Sequence, residues 1–403
     1  MATVTPFCAL HPAAGCAARV AAVPYDVVDV EDARALAADN PLSFLHVSRA
    51  EIDLPDGTDP YSAGVYEAAA TRFDTLKRTA PFLRDETPGL YVYRLRAADH
   101  EQTGVAGCYS LDEYDADVIR KHEGTRPDKV NDRMRHTIAL GAQTGPVFLT
   151  YPAQSAVDQT VASQTDRAPL VDFEAPDAVR HTIWRADEPA ADSIARAFAG
   201  IPALYIADGH HRAASAACVR KALGGMSAAA ATFLAVAFPD NQVRILPYNR
   251  IVKDLGGRSA DAFLDAVRAS FVVTSGRPKP ERRGHISMYL AGRWYTLELR
   301  GSSGSSGDVA GALDVSVLQD RLLNPMLGIA DVRTDARIDF VGGARTTREL
   351  ERIVNDGRAS VAFSMYPVGV GELMAISAAG RMMPPKSTWF EPKLRDGLLV
   401  HEL

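Results

Sequence analysis

The sequence predicts a mixed α/β (α+β) fold in two domains. Short apolar runs bounded by turn residues alternate with segments of helical spacing along the whole chain, a pattern typical of sheets covered by helices. At 403 residues the chain exceeds the size that one hydrophobic core usually organises. Because the pattern changes after about residue 240, we place the two domains at residues 1–240 and 241–403.

The composition is that of a globular protein with an acidic balance. Hydrophobic residues make up 47% of the chain, and 44 Lys and Arg face 50 Asp and Glu, a net charge of −6. Such a balance disfavours a general nucleic-acid surface. Few, scattered cysteines favour a reducing compartment, and we find neither a signal-peptide core nor a membrane-length apolar run. We expect a cytoplasmic protein without a membrane partner, and the oligomeric state stays open, a homodimer included.

In the first domain the apolar runs predict a sheet and its covering helices. Residues 20–23, closed by Pro24, predict a strand that leads into a turn at Asp26. Residues 90–95 and 104–109 flank a polar tip and predict a hairpin. The polar residues 154–176 predict an irregular surface segment. Further buried strands are predicted at 146–151, 203–207 and 232–238, and helices at 131–140, 191–198 and 213–223.

The second domain predicts the same kinds of element. Helical spacing marks residues 263–271, 313–323 and 345–355, and an apolar run at 338–341 predicts a strand. Residues 287–299 predict a hairpin turned at Ala291 and Gly292. The Gly/Ser-rich residues 301–307 predict a linker.

The strongest chemical signal is a strand, a tight turn and a helix in succession. The strand at 203–207 runs into Asp208, Gly209, His210, His211 and Arg212. A helix start exposes backbone N–H groups and the positive end of the helix dipole. Gly209 admits a ligand oxygen, Arg212 can fork onto phosphate, and the histidines add donors. The pattern predicts a phosphate site; the alternative is that Asp208 caps the helix and the histidines are solvent or core groups.

A second cluster combines a carboxylate and two cations. Glu123 is a candidate general base or magnesium ligand. Lys129 and Arg133 lie four residues apart and share one helix face if Lys129 is helical. Taken alone, the segment is better explained as a solvated helix start with ordinary ion pairs.

Two weaker candidates complete the site. Lys386, Ser387 and Thr388 follow two prolines and could bind an anion, or form an ordinary surface loop. Asp26 is a candidate catalytic carboxylate, although a role in the turn is favoured. The sequence has no P-loop, no G-x-G-x-x-G after a strand and no G-x-S-x-G, which disfavours the common nucleotide-binding and hydrolase folds.

Five ordered motifs are spread along the chain. They are Pro24-Tyr25-Asp26-Val27, His122-Glu123-x-Thr125, Asp132-Arg133, Ala207-Asp208-Gly209-His210-His211-Arg212 and Met383-Pro384-Pro385-Lys386-Ser387-Thr388. Together they resemble the bacterial domain-of-unknown-function family 1015. The resemblance runs from Pro6 to the C-terminus and implies no particular reaction.

The Asp-Gly-His-His-Arg segment is in turn similar to the nucleotide-binding motif of the ParB/sulfiredoxin superfamily. That superfamily includes free-serine kinases that use ADP or ATP, sulfiredoxins and CTP-dependent DNA clamps. The resemblance implies a ParB/sulfiredoxin-like core in residues 1–240, with the amide of Gly209 and the side chains of His210, His211 and Arg212 around the nucleotide phosphates. His210 replaces the cysteine of sulfiredoxins, and no basic helix-turn-helix supports a DNA clamp.

We therefore expect a nucleotide-dependent phosphotransferase that uses ATP or ADP with Mg²⁺. Its acceptor would be a small hydroxylated metabolite, and the resemblance suggests free L-serine. The alternatives are a ParB-like nucleotide-binding module, a hydrolase of a phosphorylated metabolite, and a sensor of one. The candidate catalytic residues are Glu123, Asp208, His210 and Asp26; the candidate nucleotide contacts are Gly209, His210, His211, Arg212, Lys129, Arg133, Lys386, Ser387 and Thr388; the candidate metal ligands are Glu123 and Asp208.

Overall fold

The computed structural model describes residues 1–301 and 309–403, which divide into two compact units. The first unit contains residues 1–121, 125–243 and 392–403, and the second contains residues 122–124 and 244–391. The chain thus leaves the first unit between Val243 and Arg244, and its last residues return to it. Apart from Gly301, the predicted Gly/Ser linker at 301–307 lies outside the described residues.

The first unit combines strands and helices along the whole of its length. Its strands are β1 Val4–Thr5, β2 Leu10–Pro12, β3 Phe82–Arg84, β4 Tyr91–Ala97, β5 His100–Ser110, β6 Ile119–Arg120, β7 Ala142–Gln143, β8 Val147–Tyr151, β9 Val171–Glu174, β10 Arg180–Arg185, β11 Leu204–Asp208 and β12 Thr232–Pro239. Its helices are α1 Ala14–Val20, α2 Val30–Ala37, α3 Leu45–Ser48, α4 Ala63–Thr79, α5 Leu111–Asp115, α6 Pro127–Leu140, α7 Ser155–Gln164, α8 Glu188–Phe198 and α9 His210–Leu223.

A mixed sheet forms the centre of the first unit and confirms the predicted fold class. Its strand order is β6-β11-β8-β12-β5-β4-β10-β9, and β1 pairs with β5. β12 and β8 run parallel, as do β11 and β6, whereas the other pairs are antiparallel. The predicted hairpin is β4–β5, with Ala97 opposite His100 at its tip.

Helices α8 and α9 supply apolar residues to the main core of this unit. Ile194 and Phe198 of α8 are fully buried, and α9 contributes the small residues Ala213 and Ala216. Burying a side chain of the size of Ile or Phe stabilises the fold by about 1.5–3 kcal/mol. The core therefore holds the start of α9 in a fixed place beside β11, the strand before it.

Two predicted segments differ from the structure. Residues 20–23 are not a strand, because α1 ends at Val20 and Ala22 makes only an isolated bridge to Asp396. Residues 154–176 are not irregular: they contain α7 and β9. Val157 of α7 is fully buried in the main core, so sparse apolar residues at helical spacing were sufficient for a helix.

The last residues of the chain add strand pairs to the first unit. A short strand, β21 His401–Glu402, pairs with β7, and Val400 forms a bridge to Leu10. Asp396 exchanges two backbone hydrogen bonds with Ala22. These pairings hold residues 392–403 in one position within the unit.

The second unit contains an antiparallel sheet with helices. Its strands are β13 Ile245–Leu246, β14 Tyr248–Val252, β15 Phe271–Ser275, β16 His285–Leu290, β17 Arg293–Leu299, β18 Ile338–Gly342, β19 Val361–Ser364 and β20 Trp389–Phe390. Its main sheet has the order β15-β17-β16-β19-β14-β18, and β13 pairs with β20. Its helices are α10 Ala260–Ser270, α11 Asp314–Leu318, α12 Asn324–Leu327, α13 Thr347–Asn355 and α14 Val370–Ala378.

Most predicted elements of the second unit are present. The hairpin at 287–299 is β16–β17, and the helix at 345–355 is α13, which buries Leu350 and Ile353. The predicted helix at 313–323 is interrupted, because a π-helix at Gln319–Leu323 separates α11 from α12. Within the described ranges, the helices are too short or too polar to cross a bilayer.

Candidate functional site

The predicted strand, turn and helix are present in the first unit. β11 ends at Asp208, Gly209 has the left-handed backbone angles φ 94° and ψ 29°, and α9 starts at His210. The residue at the N-cap is Gly209, so Asp208 lies one residue before the cap position. The first amides of this 14-residue helix have no acceptor within the helix itself.

Gly209 is required by its backbone angle and by its neighbour. A residue with a side chain is strained at this positive φ. A Cβ placed on Gly209 would also lie 3.0 Å from Cζ of Arg212. Both observations explain why glycine occupies the position between the strand and the helix.

Arg212 folds back from the first turn of α9 onto the strand end. Its Nη2 donates to Oδ2 of Asp208 at 3.0 Å, and its Nη1 donates to the carbonyl oxygen of Pro146. Its Nε is buried and has no hydrogen-bond acceptor among residues 1–301 and 309–403. Burial lowers the pKa of Arg212, but the carboxylates of Asp208, Asp26 and Asp396 outweigh it, and the net shift is upward. The guanidinium is therefore charged, and its buried Nε–H is an unused donor.

A lysine from the C-terminal segment joins this pair. Nζ of Lys393 lies 3.6 Å from Oδ2 of Asp208, and the side chains of Lys393 and Arg212 are each 10% exposed. The carboxylate of Asp208 thus lies between two cations. A phosphate at the turn would compete with Asp208 for both of them.

The two histidines of the turn differ in their surroundings. Nε2 of His211 accepts the backbone N–H of Arg126 at 3.0 Å, so a neutral ring carries its proton on Nδ1. This bond ties the residue before α6 to the start of α9. His210 is buried, with 6% of its surface exposed.

Asp396 is a buried carboxylate close to the same turn. It is 4% exposed, and its Oδ1 has no hydrogen-bond donor in the described part of the chain. A Cβ on Gly145 would collide with that oxygen. Burial raises the pKa of Asp396 to about 7, with Asp26 adding to the rise and Arg212 and Arg133 opposing it. Near neutral pH this carboxyl is therefore partly protonated.

A small cavity joins these groups. It measures about 40 Å³, enough for ordered water. Among the residues that line it are Tyr25, Gln143, Gly145, Arg212, Ser215 and Asp396.

The predicted cations of α6 lie on one helix face, as expected, because α6 already includes Lys129. Arg133 donates from Nε to Oδ2 of Asp132 at 2.8 Å, and its guanidinium lies 4.1 Å from the ring centre of Tyr25. Nζ of Lys129 donates to the hydroxyl of Tyr61 at 2.7 Å. Asp26 lies in an exposed turn next to Tyr25, as predicted.

The other sequence-predicted residues lie in the second unit. The backbone N–H of Met383 donates to the carbonyl of His122 at 2.8 Å, which places Glu123 close to the loop of Lys386. The Ser387 hydroxyl donates to Pro384 within that loop at 2.6 Å. Lys386 has a left-handed φ of 57°, its carbonyl accepts from Arg250 at 3.0 Å, and Thr388 is half-buried.

The structure therefore divides the predicted site residues between the two units. The first unit holds Asp26, Lys129, Arg133 and residues 208–212, and the second holds Glu123 and residues 386–388. Sequence reasoning overlooked Asp396 and Gly145. Neither has a local motif, and Asp396 reaches the turn only through the strand pairing of the last residues.

The first unit defines a class: a mixed α/β protein with a glycine turn that opens a helix, flanked by buried charges. The chain belongs to the family described as "Protein of unknown function (DUF1015)", whose match covers residues 4–316. This confirms the resemblance to that family, although residues 383–388 lie beyond the match. A comparison with curated proteins gave no significant match.

Several solved structures are similar to this chain at low identity. A conserved hypothetical protein from Pyrococcus furiosus has 14% identity and a TM-score of 0.35, covering 73% of this chain and 94% of its own. A free serine kinase in complex with AMP has 11% identity and a TM-score of 0.36, covering 72% and 91%. A C-terminally truncated SbnI from Staphylococcus aureus has 12% identity and a TM-score of 0.39, covering 72% and 85%.

Proposed function

We propose that the chain is a nucleotide-dependent phosphotransferase that acts on the hydroxyl group of a small metabolite. The observation that carries this proposal is the turn between β11 and α9. There the first amides of a long helix, the guanidinium of Arg212 and the ammonium of Lys393 surround Gly209 and Asp208. Helix starts of this kind bind phosphate groups.

The local charges also support an anionic ligand. Two cations accompany Asp208 at the turn, and the helix start adds about half a positive charge. Asp396 carries only part of a negative charge near neutral pH, because burial raises its pKa to about 7. A phosphate group at the turn would therefore meet two cations and the helix start, and would compete with Asp208 for them.

The reaction needs positioning more than covalent chemistry. The acceptor hydroxyl attacks the terminal phosphorus, the bridging P–O bond breaks, and the shortened nucleotide leaves. Arg212 and Lys393 would stabilise the charge on the phosphoryl oxygens. Asp26 and Asp208 are the candidate proton acceptors in the first unit, and Glu123 is the candidate in the second.

Magnesium would neutralise the nucleotide phosphates when bound with them. Asp208, at the phosphate turn, remains the candidate ligand in the first unit. Glu123 remains a candidate ligand in the second unit. We take ATP and ADP as the nucleotides to test.

Free L-serine is the first acceptor to test. The Asp-Gly-His-His-Arg motif resembles that of a superfamily with free-serine kinases, and this resemblance supports the choice. The experiment incubates the purified chain with Mg²⁺, ATP or ADP, and a panel of hydroxylated metabolites, and follows products by ³¹P NMR and mass spectrometry. We expect a phosphorylated acceptor to form together with the shortened nucleotide.

The same experiment separates the alternatives. Phosphate release without any phosphorylated acceptor would favour a hydrolase. Thermal stabilisation by a nucleotide or a phosphorylated metabolite without turnover would favour a sensor or a binding module. Either result, across the whole panel, would overturn the phosphotransferase.

A further inference from the structure

A second cavity lies in the first unit, beside the N-terminal half of α6. It measures about 140 Å³, and Arg49, Glu51, Tyr61, Lys129, Asp132 and Arg133 are among the residues that line it. We infer that this cavity binds a short carboxylate that also carries a hydroxyl group. This inference rests on the proposed function, because it identifies the chemical class of the acceptor.

The cavity wall holds hydrogen-bond donors that the protein does not use. Nζ of Lys129 has three donors and gives one to the hydroxyl of Tyr61. The Ser48 hydroxyl is buried and has no partner within residues 1–301 and 309–403. Donors on the wall of one cavity suit an anionic ligand with several acceptor oxygens.

The charged side chains of the cavity wall favour a ligand that carries a single negative charge. Its cations are Arg49, Lys129 and Arg133, and its carboxylates are Glu51 and Asp132. Nε of Arg49 lies 2.9 Å from Oε1 of Glu51, and Nη2 of Arg133 lies 2.8 Å from Oδ2 of Asp132. These four charges therefore offset one another in pairs. Lys129 is the cation left over, and a ligand carboxylate would neutralise it.

The neighbouring histidine does not add to this charge. His136 also lines the cavity, and its Nε2 donates to the carbonyl of Val47 at 2.9 Å. Burial and the nearby Arg133 lower the pKa of His136 to about 3. It is therefore neutral at physiological pH, and the surplus of one positive charge stands.

The size of the cavity sets the size of the ligand. A cavity of about 150 Å³ holds a benzene molecule of six heavy atoms, so about 140 Å³ suits a ligand of about six or seven. Three-carbon hydroxy-carboxylates fall in this range. The tyrosine hydroxyls of Tyr61 and Tyr66 and the carboxylates can meet the hydroxyl or amino group of such a molecule.

Location links this cavity to the phosphate turn. Tyr25, Ser48, Arg133 and His136 line both this cavity and the smaller one beside Arg212 and Asp396. The two cavities are therefore neighbours, as transfer from a nucleotide at the turn to an acceptor in the larger cavity requires. In this arrangement Lys129 contacts the acceptor and not the nucleotide phosphates.

The test measures binding of three probes by isothermal titration calorimetry, with and without ADP and Mg²⁺. L-serine and glycerate share the carboxylate and the hydroxyl but differ in the ammonium group, and glycerol lacks the carboxylate. We expect glycerate or L-serine to bind and glycerol to fail. The variant Lys129→Met should lower the affinity at least about tenfold, as expected for one charge-assisted hydrogen bond.

The matched control is Lys77→Met. Nζ of Lys77 also lies over an aromatic ring, 4.6 Å from the centre of Phe73, but Lys77 does not line the cavity. This variant should keep the affinity of the parent chain. Equal binding of the carboxylates to the parent chain and to Lys129→Met, or no binding under either condition, would overturn the inference.

The outcome also distinguishes this inference from the proposed function. Carboxylate binding that depends on Lys129, without any phosphorylated product, would leave the cavity assignment intact and reject the phosphotransferase. If a phosphorylated product forms but the KM for the acceptor is unchanged in Lys129→Met, the phosphotransferase would stand and the cavity assignment would be rejected.

Discussion

The guanidinium of Arg212 lies so close to Gly209 that a Cβ there would be 3.0 Å from Arg212 Cζ. The same guanidinium binds Asp208 and the carbonyl of Pro146. One arginine thus fixes the strand end, the turn and the start of β8 in a single arrangement. The shape of the candidate phosphate site therefore depends on the absence of a side chain at residue 209.

Gly209→Ala should destabilise the fold and abolish nucleotide binding. The left-handed backbone costs about 1–2 kcal/mol for a residue with a Cβ, and the new methyl group displaces Arg212. Urea unfolding and nucleotide titration measure the two effects.

Gly224→Ala is the matched control for this prediction. Gly224 ends the same helix with a φ of 56°, and nothing lies within 4 Å of its Cβ position. Gly224→Ala should lose the same backbone cost of about 1–2 kcal/mol and bind nucleotide as the parent chain does. Equal loss of binding in both variants would mean that helix stability, and not the turn, controls the site.

Arg212→Met should be strongly destabilising even without a ligand. It leaves Asp208 with one cation fewer and the carbonyl of Pro146 without its donor. Leaving the carbonyl of the buried Pro146 without its donor costs about 1–3 kcal/mol, and the weakened pair with the partly exposed Asp208 adds to this loss. Arg220→Met on the same helix is the comparison, because Arg220 pairs with the more exposed Asp112 and Asp115 and should lose no more than about 1 kcal/mol. If denaturant unfolding gives similar losses of stability for Arg212→Met and Arg220→Met, the contacts of Arg212 contribute no more to the fold than an exposed ion pair does.

The sequence was sufficient to predict the elements that local patterns define. Residues 204–223 carry an apolar run, a glycine turn and an alanine-rich helix that ends at Gly224. Each of these signals acts within a few residues, so the strand, turn and helix were predicted correctly. The hairpin β4–β5 was predicted for the same reason.

Contacts between distant residues explain what the sequence did not predict. Asp396 lies at the turn because residues 392–403 pair with segments near Leu10, Ala22 and Gln143. No spacing rule relates residue 396 to residue 212. The strand predicted at residues 20–23 depended on a short apolar run closed by Pro24, and such a run does not by itself distinguish a strand from the buried end of a helix such as α1.

Asp396→Asn should change how stability depends on pH. Burial raises the pKa of Asp396 from 3.8 to about 7, so the folded chain binds more protons than the unfolded chain between these values. This group therefore stabilises the parent chain at low pH, and that contribution is lost as the pH rises through about 7. Between pH 9 and pH 5 it amounts to about 2–3 kcal/mol, and Asp396→Asn should lack it.

The control for Asp396→Asn is Asp172→Asn, because the pKa of Asp172 is shifted down and that of Asp396 is shifted up. The hydrogen bond from Arg180 lowers the pKa of Asp172, so this group is ionised in both states between pH 5 and pH 9. The stability difference between Asp172→Asn and the parent chain should stay constant over that range. A constant difference for Asp396→Asn as well would contradict the buried, partly protonated carboxyl.

His136→Gln should alter the pH dependence with the opposite sign. Burial and Arg133 lower the pKa of His136 from 6.5 to about 3, so the unfolded chain binds the extra proton between these values. This group stabilises the parent chain above pH 6.5, and by pH 5 about 2 kcal/mol of that contribution is lost. The glutamine amide can still donate to Val47 but does not titrate, so the variant should keep its stability on acidification better than the parent chain. Unfolding curves at pH 7 and pH 5 measure this, and NMR should show the His136 ring neutral at both. A ring that titrates near pH 6 would contradict the lowering of its pKa by burial and by Arg133.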